Sequence, residues 1–200
     1  MKKSSKKFYM DHGRIPLSPK GTKLIELYEH MASKGYKTHT GEFKEDAYND
    51  FEARMFKNTL RPIFKEHQIH TLLDYGCGGS NWYDKNFTDD NQSAVEYFDL
   101  EKAYHFEPAR NINEKIRVDC VLNFDVLEHI FISDIPAVLR DIFSYAKKLV
   151  VINTACYNAS AILPNGENAH ITVRSAFWWK GMIDCLLPEF PKLKICLLCS

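Results

Sequence analysis

Short apolar runs alternate with stretches of helical periodicity after residue 70, and this alternation limits the possible folds more than any other feature. The pattern is typical of βαβ units, in which helices connect the strands of a parallel sheet. The strand at 149–152 is apolar throughout, as expected for a central strand that is covered on both faces. We therefore predict an α/β fold with strands at 71–75, 103–106, 118–123 and 148–153, and helices at 82–100 (interrupted at 89–91), 133–146 (capped by Ser133) and 174–187.

The first 70 residues lack this alternation and divide into an arm and a cap. Lysines followed by glycines and prolines predict a flexible basic arm at 1–21. Apolar residues at helical spacing predict one helix from an N-cap at Thr22 to Gly35 and a second over 45–67, kinked at Pro62. The predicted organisation is thus an arm at 1–21, an all-α N-terminal cap at 22–69 and a sheet domain at 70–200. The residues expected to be buried in the second helix are Phe51, Met55, Phe56, Leu60, Ile63 and Phe64.

The charge balance argues against one class of partner. The 26 basic and 26 acidic residues cancel, so bulk binding of nucleic acid through positive charge is not expected. Residues 1–70 carry 14 basic against 9 acidic residues, and residues 71–200 carry 12 against 17. This asymmetry fits either two functional regions or a solvated lysine tail beside an acidic surface.

The cysteines and the absence of long apolar runs predict the compartment. Six cysteines lie in apolar contexts without the dense framework of a small secreted protein, and we interpret them as reduced core thiols. Cys196 and Cys199 form a C-x-x-C, but no second pair has metal-ligand spacing, so no metal is expected. No apolar run reaches the roughly 20 residues of a membrane span, and the basic N-terminus precedes no apolar segment. We expect a cytoplasmic protein that does not enter a membrane.

The segment 72–80 carries the most informative motif. A strand that contains Asp74 runs into a turn with Gly76, Gly78 and Gly79, and glycines let a backbone approach a ligand at the carboxyl edge of a sheet. A helix after such a turn offers free N–H groups to anionic atoms, which indicates a nucleotide-type site. The dinucleotide pattern G-x-G-x-x-G, however, requires a glycine where this chain has Asn81.

This segment resembles the first motif, acid-x-G-x-G-x-G, of the class I S-adenosylmethionine-dependent methyltransferases. Asp74, Gly76 and Gly78 match it, whereas the third glycine falls on Ser80. The resemblance implies a Rossmann-like, doubly wound sheet with helices on both faces, and S-adenosylmethionine as the cofactor. In the family this loop passes under the methionine part of the cofactor, and the acid holds its ammonium group. The implied cofactor-binding residues here are Asp74, Gly76, Cys77, Gly78, Gly79 and Ser80.

A second acid is expected at the end of the next strand, where a carboxylate can accept hydrogen bonds from both ribose hydroxyls. Glu107 follows an apolar run and precedes Pro108, and the sequence Glu107-Pro108-Ala109 resembles the D-P-A of the family. Asp99 competes for the role, but it lies in a stretch that we predict as helical. We favour Glu107 as the ribose ligand.

A third element, residues 118–130, resembles the family's F-D-x-V-x-x-x-x-V-L-E-H motif. The resemblance implies that Asn123, Phe124 and Asp125 lie near the adenine and the transferred methyl. Glu128 and His129 are the candidates to orient and deprotonate a nucleophile. Asp125 and Glu128 are also spaced as a capping box, so both interpretations of this pair remain open.

The fourth element is the polar connection 163–174, which is expected to lie over the carboxyl edge of the sheet. Its sequence resembles a P-N-G-E-N-A-H-x-T-V-R run of a narrow bacterial and phage group of methyltransferases, with Trp178 and Trp179 shortly after. The resemblance, which covers about residues 70–180, makes Asn168 and His170 substrate-site candidates and His170 a catalytic one. Alternatively, Asn165-Gly166 forms a tight turn and His170 only satisfies backbone groups.

These elements predict an enzyme that transfers a methyl group to an unidentified acceptor, preferably a small metabolite or glycan, without a metal. Two alternatives remain open: a nicotinamide-dependent oxidoreductase on the same architecture, and an inactive methyltransferase-like scaffold that binds a partner through its basic front. Residues 36–41 are expected to help cover the cofactor. The family's sheet ends in an antiparallel pair, of which 193–199 would supply one strand. An incomplete pair would expose a sheet edge, which the N-terminal region or a second copy of the chain in a homodimer would cover.

Overall fold

The computed structural model describes residues 17–45 and 52–200, so residues 1–16 of the predicted arm and residues 46–51 of the predicted second helix, with Phe51, lie outside it. The described residues form an α/β fold. The helices are α1 (Pro19–Lys34), α2 (Lys57–Glu66), α3 (Ala94–Tyr97), α4 (Ile135–Tyr145) and α5 (Ala176–Leu186). The strands are β1 (Tyr36–Thr38), β2 (Phe43–Lys44), β3 (Thr71–Tyr75), β4 (Lys102–Glu107), β5 (Ile112–Asn113), β6 (Val118–Phe124), β7 (Ala146–Thr154), β8 (Ala161–Ile162) and β9 (Lys194–Cys199).

A mainly parallel sheet of six strands, in the order β5-β4-β3-β6-β7-β9, forms the centre of the molecule. Its pairs are parallel except that between β4 and β5. The chain passes from β3 to β4 on one side and then crosses back to β6 on the other side of β3. This reversal creates a crevice at the carboxyl ends of β3 and β6, which is where open α/β sheets bind ligands.

Successive side chains of a strand point to opposite faces, and both faces of this sheet are packed against helices. Leu72 and Leu122 belong to a hydrophobic cluster that includes residues of α2 and α3. Their neighbours Leu73 and Val121 belong to a second cluster with residues of α4 and α5. The predicted α/β architecture with a mainly parallel sheet is therefore confirmed.

A second, antiparallel sheet in the order β2-β1-β8 joins the N-terminal region to the connection that follows β7. Lys37 pairs with Phe43 on one side and with Ile162 on the other. The prediction of an all-α cap is therefore wrong, because the chain turns at Gly35 into strands that pair with a distant segment. Such long-range pairing leaves no periodic signal in so short a strand.

The first helix begins earlier than the sequence indicates. The N-cap of α1 is Ser18, whose Oγ accepts a hydrogen bond from the Gly21 N–H at 3.1 Å, and not Thr22. The Ser18 hydroxyl in turn donates to the Asp134 carboxylate at 2.8 Å, which ties the start of α1 to the start of α4. The predicted arm therefore ends before Pro19 rather than at residue 21.

Residues 52–67 of the second predicted helix form two separate elements. A 3-10 turn covers Glu52–Arg54, and α2 begins at Lys57 and contains Pro62. Met55, predicted to be buried, lies in the turn between them and is 77% exposed. Leu60 and Phe64 are buried as predicted.

The helix predicted over 82–100 is largely wrong, since only α3 forms there. The Asn81 side chain accepts a hydrogen bond from the Tyr83 N–H and donates one to Asp84, and such local bonds compete with helix formation. The helix begins where Ser93 and Glu96 form a capping box. No helix therefore follows the glycine turn directly.

The remaining helices and strands agree with the prediction within a few residues, with two corrections. Asp134, not Ser133, is the N-cap of α4, and it makes no side-chain capping bond. The last strand, β9, pairs with β7 in parallel and not in an antiparallel pair, because α5 carries the chain back across the sheet before β9 begins.

Two findings concern the thiols and the helix lengths. All six cysteines are free, but Cys185 and Cys199 are exposed, so the prediction that all are core thiols is wrong for these two. None of the helices in the described ranges combines the length and the apolar character that crossing a membrane requires.

Candidate functional site

A cavity of about 440 Å³ lies at the carboxyl ends of β3, β4 and β6. The sheet supplies its floor, and residues of α1 and of the connection after β7 complete its walls. Ten of the sequence-predicted site residues line it: Asp74, Gly76, Cys77, Gly78, Ser80, Glu107, Phe124, Asp125, His129 and His170. Tyr36 from the predicted cover at 36–41 lines it as well.

The glycine turn between β3 and the rest of the site has a conformation that requires glycine. Gly76 has φ +88°, and a Cβ at this position would lie 2.2 Å from a methyl of Val126. The Gly76 and Cys77 N–H groups both donate to the Phe106 carbonyl, at 2.7 and 3.1 Å. The turn is therefore closed against the end of β4 and holds its backbone at the cavity wall.

Asp74 is 5% exposed and accepts a hydrogen bond from the Trp82 indole N–H at 2.8 Å. Burial raises the pKa of Asp74 to about 6, the Trp82 bond and His105 oppose this rise, and the Glu107 carboxylate adds to it. The group is thus ionised at neutral pH, although it lies in a poorly solvated position. An ionised carboxylate there attracts a cation.

Glu107 ends β4 and connects the glycine turn to the next loop. Its two oxygens accept hydrogen bonds from the Gly78 N–H at 3.0 Å and the Ala109 N–H at 2.9 Å. Burial raises the pKa of Glu107, and these two donors oppose the rise. Asp99, the competing candidate, is exposed and precedes β4, so it lies at the amino end of this strand, whereas Glu107 lies at the carboxyl end.

Apart from two histidines, the charged side chains that line the cavity in the described part of the chain are acidic. Its acidic lining residues are Glu52, Asp74, Glu107 and Asp125, and in the described part of the chain neither Lys nor Arg lines it. The cavity therefore favours a cationic ligand over an anionic one.

A cluster of three ionisable side chains, Asp125, His129 and His170, lies on one wall. An Asp125 carboxylate oxygen is 4.0 Å from Nε2 of His129, and the other is 3.9 Å from Nε2 of His170. The two imidazole rings meet edge to face with centroids 4.8 Å apart.

His129 is oriented by two neighbours. Its Nδ1 lies 3.0 Å from the Ala169 carbonyl and 3.0 Å from the Tyr28 hydroxyl, which itself donates to the Ala169 carbonyl at 2.6 Å. Because the carbonyl only accepts, this arrangement favours a proton on Nδ1 and a lone pair on Nε2. Burial opposes protonation of His129, but the Asp125 and Glu128 carboxylates outweigh it and raise the pKa.

His170 is buried and has a similar arrangement. Its Nδ1 lies 2.5 Å from the Tyr157 carbonyl, so Nε2 again faces Asp125. Burial lowers the pKa of His170, and positive charge on His129 acts in the same direction. The carbonyl contact shows that His170 satisfies a backbone group and also presents a free ring nitrogen to the cavity.

Asp125 supplies the charge between the two rings. Its backbone has φ +55°, and its side chain is about half exposed. Burial by itself raises the pKa of Asp125, but hydrogen bonding and positive charge from His129, hydrogen bonding with Glu128 and positive charge on His170 lower it to about 2. The capping-box interpretation is wrong, because the short turn after Asp125 has Val126 at its N-cap and no side-chain capping bond.

Four predicted site residues do not line the cavity. Gly79 is exposed on the turn, and the fully buried Asn123 donates from its amide to the Tyr75 carbonyl at 2.8 Å. Glu128 is fully buried and accepts hydrogen bonds from the Ala155 N–H and the Thr154 hydroxyl. Burial raises the pKa of Glu128 to about 7. The Asn168 side-chain amide accepts a hydrogen bond from the Ala159 N–H and donates one to the Ala159 carbonyl, so it holds the shape of the loop.

Sequence reasoning missed three aromatic residues of this site. Tyr28 reaches His129 from α1, Tyr157 lines the cavity and holds His170, and Trp82 anchors Asp74. Tyr28 fits the apolar periodicity of α1, so its hydroxyl leaves no separate signal. Trp82 follows the glycine turn by a few residues, and an indole donor beside a strand-end acid is a signal that could have found it.

Comparisons of the chain with protein-family models, with curated proteins and with solved structures find no match.

Proposed function

We propose that this protein is an S-adenosylmethionine-dependent methyltransferase whose cofactor binds in the cavity at the carboxyl ends of β3 and β4. The observation that carries the proposal is the lining of this cavity, which has four acidic residues and, among the described residues, neither lysine nor arginine. The cavity volume lies in the usual range of about 300–1,000 Å³ for small-molecule sites. A Rossmann-like, doubly wound fold belongs to the same proposal.

The sign of the charge separates this cofactor from a nicotinamide dinucleotide. S-adenosylmethionine carries a sulfonium, an ammonium and a carboxylate group and so has a net positive charge, whereas the dinucleotide carries a pyrophosphate that acidic side chains repel. Dinucleotide sites also place the pyrophosphate at the N-terminus of a helix after the glycine turn, and here turns follow it instead. Both observations disfavour the oxidoreductase.

In this proposal, different residues of the chain bind different parts of S-adenosylmethionine. Asp74 lies where it can attract the ammonium group, and the Glu107 oxygens retain lone pairs with which they can accept from ribose hydroxyls. When bound, S-adenosylmethionine supplies a methyl group on a positively charged sulfur. Cys77 and Phe124 add apolar contacts to the cavity wall.

His129 is the proposed base. Its Nε2 has the lone pair, because the Ala169 carbonyl and Tyr28 hold the proton on Nδ1. The acceptor's proton would go to this nitrogen as the acceptor takes the methyl group. Alignment of the acceptor supplies much of the rate in such a transfer. We propose a small metabolite or glycan as the acceptor, and a cytoplasmic location.

Calorimetric titration with S-adenosylmethionine tests the proposal. A hydrogen bond to a charged group contributes about 1.5–3 kcal/mol, so we expect Asp74→Asn and Glu107→Gln each to weaken binding by roughly 10- to 100-fold. Asp99→Asn is the matched control and should bind like the wild type. Unchanged binding in both site variants, or equal binding of a nicotinamide dinucleotide, would reject the proposal.

The pKa of Asp74 predicts the pH dependence of this binding. Below about pH 6 the carboxyl group takes up a proton and loses its attraction for a cation, so affinity should rise as the pH is raised from 5 to 7. A pKa near 6 predicts roughly a tenfold gain over this range. The same titration with Asp74→Asn should show a smaller rise. An equal rise in the variant would assign the pH dependence to another group.

A further inference from the structure

The cluster of Asp125, His129 and His170 has a composition that acid-base chemistry alone does not require. One ligand atom from each residue, two imidazole nitrogens and a carboxylate oxygen, lies within 4.8 Å of the other two. A single proton acceptor needs one imidazole, whereas the second ring also directs its Nε2 at the same carboxylate. Two histidines and one carboxylate are a common ligand set for transition metals.

The rings are already oriented as metal ligands are. In metal sites the second ring nitrogen of a ligating histidine usually donates to a carbonyl or carboxylate, which fixes the free lone pair on the other nitrogen. Here Nδ1 of His129 contacts the Ala169 carbonyl and Nδ1 of His170 contacts the Tyr157 carbonyl. Both lone pairs therefore point at the space beside Asp125.

The position of Asp125 adds an independent observation. A non-glycine residue with φ +55° is in a sparsely populated conformation, and such residues concentrate at functional sites. This conformation directs a half-exposed carboxylate between two histidines, while Glu128 nearby turns inward to Thr154 and Ala155. Neither a lysine nor an arginine of the described residues lines the cavity, so neither competes for the carboxylate from that side.

We propose that Asp125, His129 and His170 bind a divalent transition-metal ion on the wall of the cavity. Ligand atoms about 2.0–2.2 Å from an ion lie roughly 3–3.5 Å from each other, so the side chains need to close by about 1 Å. Three protein ligands leave coordination positions open toward the cavity, as in catalytic rather than structural sites. The expectation from sequence that no metal takes part overlooked these residues because His170 lies far from His129 along the chain.

Metal binding is independent of the proposed function and can be measured without an adenosyl ligand. If both hold, the ion occupies Nε2 of His129 and removal of the acceptor's proton depends on the ion; this consequence rests on the proposed function. The methyl acceptor would then be a molecule whose oxygen or nitrogen lone pair can reach the open coordination positions of the ion.

The test uses the full chain, freed of metal with a chelator and titrated with Co²⁺, Zn²⁺ or Mn²⁺. We expect one ion per chain, a visible Co²⁺ spectrum typical of nitrogen and oxygen ligands, and at least roughly tenfold weaker binding in Asp125→Asn and His170→Ala. His30→Gln, on the exposed face of α1, is the matched control. Circular dichroism checks the fold of each variant.

Several results would overturn the metal site. Binding of wild-type strength in folded Asp125→Asn, or no stoichiometric binding by the wild type, contradicts it. Strong thiolate absorption from bound Co²⁺ assigns the ion to cysteines instead. If His170→Ala fails to fold, Asp125→Asn decides the question, because its side chain is about half exposed and the change keeps its size.

Discussion

Gly76→Ala is expected to lower the free energy of unfolding by about 2–5 kcal/mol. The left-handed conformation of Gly76 costs an alanine about 1–2 kcal/mol. The new Cβ would also lie 2.2 Å from Val126, and overpacking of this kind typically costs a further 1–3 kcal/mol, roughly. Urea unfolding measures the loss, and adenosyl-ligand binding should weaken with it because the turn forms the cavity wall.

Gly166→Ala separates the two causes. Gly166 has φ +89°, almost the value of Gly76, but a Cβ there would meet nothing within 4 Å. This control should lose only the conformational part, about 1–2 kcal/mol. Adding Val126→Ala to Gly76→Ala should restore part of the stability. Equal losses in the two glycine variants would show that Val126 does not resist the new Cβ.

Asp141→Asn is expected to cost about 3–5 kcal/mol, because it leaves a buried lysine without its counter-ion. Lys115 donates to Asp141 at 2.9 Å, and its side chain is 2% exposed. Its ammonium group also lies 4.5 Å from the centre of the Phe106 ring. The Tyr75 hydroxyl donates to the same carboxylate at 2.7 Å, and this hydrogen bond links β3 to α4.

Two further variants test whether the burial of the charge causes this loss. Lys115→Met should cost less than Asp141→Asn, since the carboxylate keeps the Tyr75 hydroxyl as a donor. Glu189→Gln breaks an exposed pair with Arg140, and such pairs contribute about 0–1 kcal/mol. Thermal or urea unfolding provides all three values. A similar loss for Asp141→Asn and Glu189→Gln would contradict the argument.

The strands were predictable from sequence because their signal is local. Buried parallel strands consist of continuous apolar residues, and β3 has the bounds that its apolar run predicts. The lack of a helix at 82–92 was not predictable, because the apolar residues of this segment mimic helical spacing. The Asn81 side chain accepts a hydrogen bond from the neighbouring backbone and so competes with the helix. The strands β1 and β8 are too short for a periodic pattern, and their pairing depends on residues far apart in the chain.

The site was predictable as far as it depends on strand ends. Asp74 and Glu107 follow from the position of an acid near the carboxyl end of a strand, and the structure brings both to one cavity. The direction of a side chain does not follow in the same way. Glu128 and His129 are adjacent, yet one turns into the protein and the other faces the cavity. The two residues are neighbours in a 3-10 turn, whose successive side chains lie about 120° apart around its axis, and no sequence pattern specified where this turn begins.

The three-stranded sheet has a consequence for the order of folding. Pairing of Lys37 with Ile162 closes a loop that contains β3, β4, β6 and β7, and the entropic cost of closure grows with loop length. Contacts between residues so far apart form slowly, whereas β6 and β7 pair across a single helix. The segment that carries His170 is therefore expected to dock after the parallel strands have paired. An intermediate would possess the glycine turn and both strand-end acids before the second histidine reaches Asp125.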